Sequence, residues 1–200
     1  MSVTVCIPAI RSRWSLLSRC LWSVPDEFEI IVALGDGPMG DKLNACFAAA
    51  MTDHVVCVDD DDYLLPGVTA AVYPYTDGVP DFVGYRILYT ENGRFGGSVA
   101  HRGNGDTSWS TFDRGVSPKC LVRTELARAH PFGNHYTADR EWSKAVQQDV
   151  DSCWFADIHA YHYDHWTEHM VGTNVDQGLT ERPQRDVGLW PFDAERVTWL

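Results

Sequence analysis

The chain lacks any concentrated block of basic residues. Its 200 residues include 28 Asp and Glu against 16 Lys and Arg, which gives a formal net charge of -12 at pH 7. The basic residues are scattered, without the run of Lys and Arg that tracks a phosphate backbone. This argues against a broad nucleic-acid-binding surface. It does not exclude a small anionic ligand, because a divalent cation can neutralise a phosphate on an acidic protein.

The chain also lacks a CxxC pair and a long apolar run. Its six cysteines stand at positions 6, 20, 46, 57, 120 and 153. Cys6 and Cys57 fall inside apolar, strand-like runs, which predicts buried thiols. The apolar runs are shorter than a membrane span, and MSVTVCIP enters a predicted strand directly, without the pattern of a signal peptide. Together these absences predict a reduced, soluble, cytoplasmic protein with no membrane span.

What the chain does have is a hydrophobic content of 44%, enough for one domain with a core. Its first sixty residues alternate buried strands with amphipathic helices. The strands are predicted at 3–8, 29–34 and 55–58, and the helices at 11–24 and 41–51. This alternation predicts a doubly wound α/β sheet. Ligands bind at the carboxyl ends of such strands, which here are 8–13, 34–40 and 59–62.

Residues 55–66, VVCVDDDDYLLP, place four aspartates at one of these strand ends. Neighbouring carboxylates raise one another's pKa unless a cation or a set of donors compensates them. The cluster therefore predicts a bound cation. The alternative is a solvated acidic turn that caps a helix, since aspartate is a favoured N-cap residue.

The second half of the sequence is less regular. The polar stretch at 91–108 predicts a hairpin or a mobile loop, and helical patterns follow around 120–129 and 138–148. A strand is predicted over 152–163. The last thirty residues lack periodicity and are interpreted as a tail that packs by Trp190, Phe192 and Trp199.

Five segments in a fixed order carry a family resemblance: VTVCIPAIRSR, EIIVALGDG, GDKLNA, VDDDDYLLPG and HPFGNHYTADREW. They span most of residues 3–142 and resemble the landmarks of the GT-A glycosyltransferases of the family 2 type, which transfer a sugar from a nucleotide diphosphate sugar. The aspartate motif with its leucine-proline turn is the most specific of the five.

The resemblance implies a GT-A, Rossmann-like mixed sheet flanked by helices in one compact domain. Residues 1–110 would form the nucleotide-sugar-binding half, and residues 111–200 the acceptor-binding half with its tail. The implied donor is a nucleotide diphosphate sugar, with a UDP-sugar favoured, and the acceptor is a hydroxyl of unknown identity. The reaction would invert the anomeric centre.

The resemblance also implies roles for residues at the strand ends. Asp61 would ligate Mn²⁺ or Mg²⁺, hard cations that take carboxylate oxygens. Asp62 would support Asp61 or cap the turn. The residues implied in nucleotide binding are Pro8, Ala9, Arg11, Asp36, Lys42, Asn44, Asp59 and Asp60.

Asp36 departs from the family pattern, because Leu34 and Gly35 precede it where relatives place aspartate directly after the strand. An ordinary Asp-Gly turn is the alternative. For Lys42 the alternative is a helix surface without a role.

Asp139 is the implied catalytic base, since an inverting transfer needs a carboxylate near the acceptor hydroxyl. Relatives carry a Glu-Asp pair here, and Ala138 replaces the glutamate; Glu141 could cover part of that role. The alternative is that Thr137 or Asp139 only caps the helix.

The segment YHYDHWTEH, residues 161–169, supplies candidate imidazole ligands. By resemblance His165 would complete the metal shell, with His162 as second choice. A zinc site of His162, His165 and His169 is an alternative, although it lacks cysteine partners at a usual spacing.

Two other functions stay open from the sequence. A nucleotidyltransferase also places carboxylates and a metal at strand ends, but AIRSRWS lacks the glycine-rich loop expected after the first strand. A nucleotide- or metal-binding module with a decayed catalytic half is the other, favoured by the alanine at position 138.

Overall fold

The computed structural model describes residues 1–72, 79–105, 113–166 and 188–200. In chain order the elements are β1 (Val3–Ala9), a 3-10 turn (Arg11–Arg13), α1 (Trp14–Trp22), β2 (Glu29–Leu34), α2 (Met39–Ala49), β3 (His54–Cys57), β4 (Tyr63–Leu64), α3 (Gly67–Val72), β5 (Phe82–Glu91), β6 (Arg94–Gly103), β7 (Asp113–Gly115), β8 (Leu121–Arg123), α4 (Thr124–Ala129), α5 (Ala138–Gln148), β9 (Cys153–His165), a 3-10 turn (Ala194–Arg196) and β10 (Val197–Trp199).

The first three strands form the parallel centre of the sheet. β1 lies between β2 and β3, and Cys6 pairs with Ile31 on one side and Cys57 on the other. Every residue of β1 is buried, as expected for a parallel strand covered on both faces. Helix α2 packs on β1 and β2. The predicted doubly wound first half is therefore confirmed.

The rest of the sheet extends this centre with strands of both directions. The strand order is β10-β2-β1-β3-β8-β5-β6-β7, with β9 pairing with both β5 and β4. β8 runs antiparallel to β3 and to β5, whereas the long β9 runs parallel to β5. The result is a mixed α/β sheet in one domain, as the sequence predicts.

Of two predicted elements that follow residue 90, one needs correction and the other is confirmed. The pattern around 120–129 predicts a helix, but its first part is β8, and only Thr124–Ala129 is helical. Leu121 and Val122 are buried because they pair with β3 and β5, so tertiary pairing overrides local helical periodicity. The predicted hairpin after residue 90 is confirmed as β5 and β6.

The C-terminal segment packs as predicted and also adds a strand. Trp199 stacks on Trp14 at a centroid distance of 5.9 Å, and Phe192 meets Trp14 edge-on at 6.2 Å. Trp190 lies 4.8 Å from Trp22. The sequence did not predict β10, which pairs with β2 at the edge of the sheet.

Five of the six cysteines are buried thiols, as predicted, and Cys153 is exposed. Across the described ranges, the helices are all too short or too polar to cross a bilayer.

Candidate functional site

The four aspartates follow β3 at the carboxyl edge of the parallel strands, and they divide into two pairs. Asp60 and Asp62 are buried, with 3% and 1% of their surface exposed. The side chains of Asp59 and Asp61 retain 33% and 26% exposure. The chain continues into β4, not into a helix. The alternative of a solvated, helix-capping turn is therefore wrong.

Asp60 is fixed by the end of β1 and by the turn after it. The backbone N–H of Ile10 donates to its Oδ2 at 3.0 Å, and Arg13 Nη1 donates to its Oδ1 at 2.9 Å. Arg13 Nη1 also lies 3.0 Å from Asp61 Oδ2. One guanidinium therefore neutralises two neighbouring carboxylates.

Lys119 reaches the same turn from the other side. Its ammonium donates to Asp59 Oδ2, to Asp62 Oδ2 at 2.8 Å, and to the hydroxyl of Tyr161 at 3.0 Å. The ammonium also lies 5.0 Å from the ring centroid of Tyr161 and 4.8 Å from that of Tyr163, within range of cation–π attraction. An ammonium has three N–H donors, and all three have partners here.

Asp62 is the internal anchor between this turn and β9. Its Oδ1 accepts from the backbone N–H of Asp164 at 2.9 Å. Its Oδ2 accepts from the Tyr161 hydroxyl at 2.6 Å as well as from Lys119. Because both carboxylate oxygens accept hydrogen bonds and the side chain is buried, Asp62 fixes the turn to β9.

A second ion pair braces the turn from α1. Arg19 Nη1 donates to Asp164 Oδ2 at 2.9 Å, and Arg19 Nη2 donates to the carbonyl of Asp61 at 2.6 Å. Thr90 and Trp166 donate to Asp164 Oδ1 at 2.9 and 2.8 Å. This network connects α1, β5 and β9 through one carboxylate.

The electrostatics follow from burial of many charges in a small volume. Burial raises the pKa of Asp61 to about 6 and that of Asp62 to about 7, with Arg13 and Lys119 respectively opposing the shift. Burial also raises the pKa of Asp60. Burial disfavours the charged form of Lys119, but Asp59 and Asp62 outweigh it and raise the pKa of the ammonium well above its usual range. Arg13 and Lys119, which are cations of the protein itself, therefore supply part of the positive charge that the four aspartates require.

The carboxylates also fit a hard divalent cation. Oxygen atoms of Asp59, Asp61 and Asp62 lie within 4.8 Å of one another, and carboxylate oxygens are the ligands that Mn²⁺ and Mg²⁺ take. Since Asp62 is enclosed, Asp59 and Asp61 are the two that present open sides. They form the Asp-x-Asp pair of the sequence.

Among the described residues, the group of side chains whose ligand atoms lie within 4.8 Å of one another contains the three aspartates and neither predicted histidine. His165 is on β9 with its ring 6.0 Å from Tyr163 and 6.1 Å from Tyr89. His162 Nε2 is 2.9 Å from Thr90 Oγ1. Positions 162 and 165 fall on opposite faces of a strand, which argues against a zinc site that uses both. His169 lies outside the described residues.

The other nucleotide-binding candidates surround the ends of β1 and β2. Pro8 and Ala9 are buried in β1, whereas Arg11 and Asp36 are exposed in the turns beyond the strands. Lys42 Nζ donates to the Ala9 carbonyl at 2.8 Å. Burial lowers the pKa of this ammonium, and the nearby Asp60 and Asp36 oppose the shift.

Asn44 faces away from this group. Its Nδ2 donates to the Phe132 carbonyl at 3.0 Å, and its Oδ1 accepts from the Phe132 N–H at 2.7 Å. A contact between this amide and a nucleotide would have to replace one of these hydrogen bonds.

Asp139 lies in the first turn of α5 and is half-buried. Burial raises its pKa, Lys119 lowers it and Asp59 raises it, which places its carboxyl within electrostatic reach of both. Glu141 is exposed and accepts from Thr137 Oγ1 at 2.9 Å. Thr137 is the N-cap residue, but in the described residues its side chain makes no capping hydrogen bond.

The sequence did not identify the basic and aromatic residues of the site. Arg13, Arg19, Lys119, Tyr161 and Asp164 carry no spacing that marks them. Lys119 lies about sixty positions after the aspartates, and only the pairing of β8 with β3 brings it to them. The one local signal for Lys119 is its position as an isolated charge shortly before the strand-like residues Leu121–Arg123.

Comparison with known proteins places this arrangement in a known fold. No family model and no curated protein matches the chain. Solved structures of residues 1–349 of S. aureus TarS, a GT-A glycosyltransferase, do match. The complex with UDP-GlcNAc gives a TM-score of 0.62 at 18% sequence identity, and the complex with UDP gives 0.61 at 18%. A further structure of TarS 1–349 gives 0.60 at 16%.

The match covers 82% of this chain and 58% to 60% of the TarS 1–349 chains. The chain therefore spans less than two thirds of the length of these structures. At this level of identity the similarity concerns the backbone fold. The chain has the GT-A fold, as the sequence motifs predict.

Proposed function

We propose that this protein is a metal-dependent glycosyltransferase that moves a sugar from a nucleotide diphosphate sugar, a UDP-sugar by preference, to an acceptor hydroxyl with inversion. The observation that carries the proposal is the pair of open carboxylates, Asp59 and Asp61, at the carboxyl edge of a GT-A sheet. TarS structures of the same fold contain UDP-GlcNAc and UDP, which supports a donor of that class.

The donor would lie across the ends of β1, β2 and β3. Asp59 and Asp61 would hold Mn²⁺ or Mg²⁺ beside the diphosphate. Bound there, the cation would neutralise the negative charge that develops on the leaving diphosphate. The base and ribose would lie along a surface formed by Pro8, Ala9, Arg11, Asp36, Lys42, Asp59 and Asp60. Asn44 would join this surface only by exchanging a hydrogen bond to Phe132 for one to the nucleotide.

Asp139 would act as the general base. The acceptor oxygen forms a bond to the anomeric carbon while the bond from that carbon to the diphosphate oxygen breaks. The acceptor proton passes to the Asp139 carboxylate. Burial favours this role, because it raises the pKa of Asp139 and so makes the carboxylate a stronger proton acceptor.

The first test is a thermal-shift screen against UDP, GDP, CDP and dTDP, each with and without Mn²⁺. A ligand that binds only the folded state raises the unfolding temperature. We expect several degrees of stabilisation that need both UDP and the metal. No shift with any pair at millimolar ligand would overturn the proposal.

A matched pair of variants locates the effect. Asp61→Asn should lose the metal-dependent part of the shift, because it removes one of the two open carboxylates. Glu125→Gln, at an exposed carboxylate on α4, should keep it. Hydrolysis of a UDP-sugar by the wild-type protein with Mn²⁺ would separate an active transferase from a binding module.

A further inference from the structure

Lys119 occupies the carboxylates that a divalent cation would use. Its ammonium is bonded to Asp59, one of the two open carboxylates, and to Asp62, which completes the group of three. Its side chain is only 16% exposed. The ammonium is therefore an internal cation held in the candidate metal site.

The charges of the turn show what this internal cation does. Four aspartates face two protein cations, Lys119 and Arg13, each bonded to two of the carboxylates. The aspartates outnumber these two cations, so the turn keeps a net negative charge that a divalent cation would reduce. A cation that binds without a nucleotide must displace the ammonium from Asp59 or accept it as a close positive neighbour.

A displaced ammonium would need another acceptor. Its three N–H donors are all used in the structure, and release from Asp59 frees one of them within a largely buried cage of Tyr161 and Tyr163. A buried donor without an acceptor is costly. The oxygens of a nucleoside diphosphate would satisfy it, whereas a bare metal ion would not.

We propose that Lys119 competes with the metal for Asp59, so that the site takes its divalent cation weakly alone and tightly together with a nucleoside diphosphate. This inference rests on the proposed function and specifies how its cofactor arrives. It makes Lys119 a positioning residue that couples the two ligands. Coupling of this kind is reciprocal, so the metal should tighten UDP by the same factor as UDP tightens the metal.

The test is a titration of Mn²⁺ alone, followed by the electron paramagnetic resonance signal of the free ion. Lys119→Met and Lys119→Gln remove the competing charge. At about 4 Å a single charge acts appreciably on a divalent ion even in water, so both variants should bind Mn²⁺ about tenfold more tightly or better. A purely structural role for Lys119 predicts the opposite sign, because loss of the strut would scatter the carboxylates.

Two controls define the comparison. Lys119→Arg keeps the charge and should stay within about twofold of the wild-type affinity. Lys144→Met, at an exposed lysine on α5, removes a charge away from the cluster and should do the same. If Lys119→Met does not fold by circular dichroism, Lys119→Gln decides, because its amide can still donate to Asp62.

The coupling is measured by repeating the titration with UDP. UDP should tighten Mn²⁺ binding in the wild-type protein and do so less in Lys119→Met. Equal or weaker Mn²⁺ binding by both neutral variants, or no Mn²⁺ binding by any form, overturns the inference. If the neutral variants bind Mn²⁺ more tightly but UDP has no effect on the wild type, the proposed function fails and the competition stands.

Discussion

Two parts of the molecule, residues 1–72 (the first half below) and residues 79–166 (the second half below), meet at the acidic turn. The strands of the two parts are paired differently. Residues 1–72 build parallel strands whose partners are close in sequence, with β1 directly between β2 and β3. Residues 79–166 combine one local hairpin, β5 and β6, with distant partners: Phe82 of β5 pairs with Cys153 of β9 and with Val122 of β8. The first half contributes the carboxylates, and the second half contributes Lys119, Tyr161 and Asp139.

This difference shows how the site depends on the second half. The aspartates follow β3 and are held from the first half by Ile10, Arg13 and Arg19, whereas Asp62 is bonded to the backbone of β9 and to Lys119 of the second half. A chain that lost the second half would retain the Asp-x-Asp motif and Arg13 but would lack the ammonium of Lys119. The site is therefore a property of the junction between the two halves.

The largest effect is expected at Asp139, the functional group of the second half. Asp139→Asn should lower kcat about 10²- to 10⁴-fold, because the amide cannot accept the acceptor proton. Glu141→Gln, two residues along the same helix but exposed, should change kcat less than about threefold. Steady-state transfer from a UDP-sugar measures both. Normal turnover by Asp139→Asn would remove this residue from the mechanism.

The next effect concerns stability at the junction itself. Asp62→Ala leaves Lys119 without one partner and deprives Tyr161 and Asp164 of their acceptor. Removal of one member of a buried ion pair costs about 3–5 kcal/mol, so urea unfolding should show a loss of that size. Asp36→Ala removes an exposed aspartate of the first half and should cost less than about 0.5 kcal/mol. Similar losses for the two variants would show that Asp62 is no anchor.

The contrast between the halves also explains what could be predicted from sequence. β1, β2 and β3 are continuous apolar runs bounded by turns, and the carboxyl ends of such strands define a site, so the doubly wound sheet and the position of the aspartates are predictable from local pattern. The GT-A fold is predicted only by the resemblance of the five motifs to the family. The local pattern over β8 predicts a helix, because the strand is formed by pairing with the distant β3 and β5. Lys119 was missed for the same reason, since no local pattern records a contact made across sixty residues.

Low pH should reduce the free energy of unfolding through His101, which lies in the second half. This imidazole is buried on β6, with Nδ1 3.1 Å from the Gly115 carbonyl. Burial lowers its pKa from 6.5 to about 4, with Arg114 and Lys119 adding to the shift. Between these values the unfolded chain binds more protons than the folded one, so the histidine's contribution is complete above pH 6.5 and is lost as pH falls toward 4.

The measurement is a comparison of wild type with His101→Gln across that range. The difference in free energy of unfolding between the two should shift against the wild type by about 3 kcal/mol from pH 7 to pH 4. Subtraction removes the contribution of the aspartates, whose titration is common to both proteins. Parallel stability curves would mean that His101 titrates normally in the folded state.

The smallest effect is expected at Asn44, which lies between the halves. The structure and the family resemblance give its side chain different roles. Asn44 of α2 exchanges two hydrogen bonds with the backbone of Phe132, whereas the family resemblance implies that it approaches the nucleotide. Asn44→Ala should lower the free energy of unfolding by about 1–2 kcal/mol, because it leaves the Phe132 N–H and carbonyl without these partners. If the amide acts only between the halves, UDP affinity in the presence of Mn²⁺ should stay within about twofold of wild type. A loss of UDP affinity with unchanged stability would instead mean that the amide turns from Phe132 to the nucleotide when the donor binds, and that α2 belongs to the binding surface.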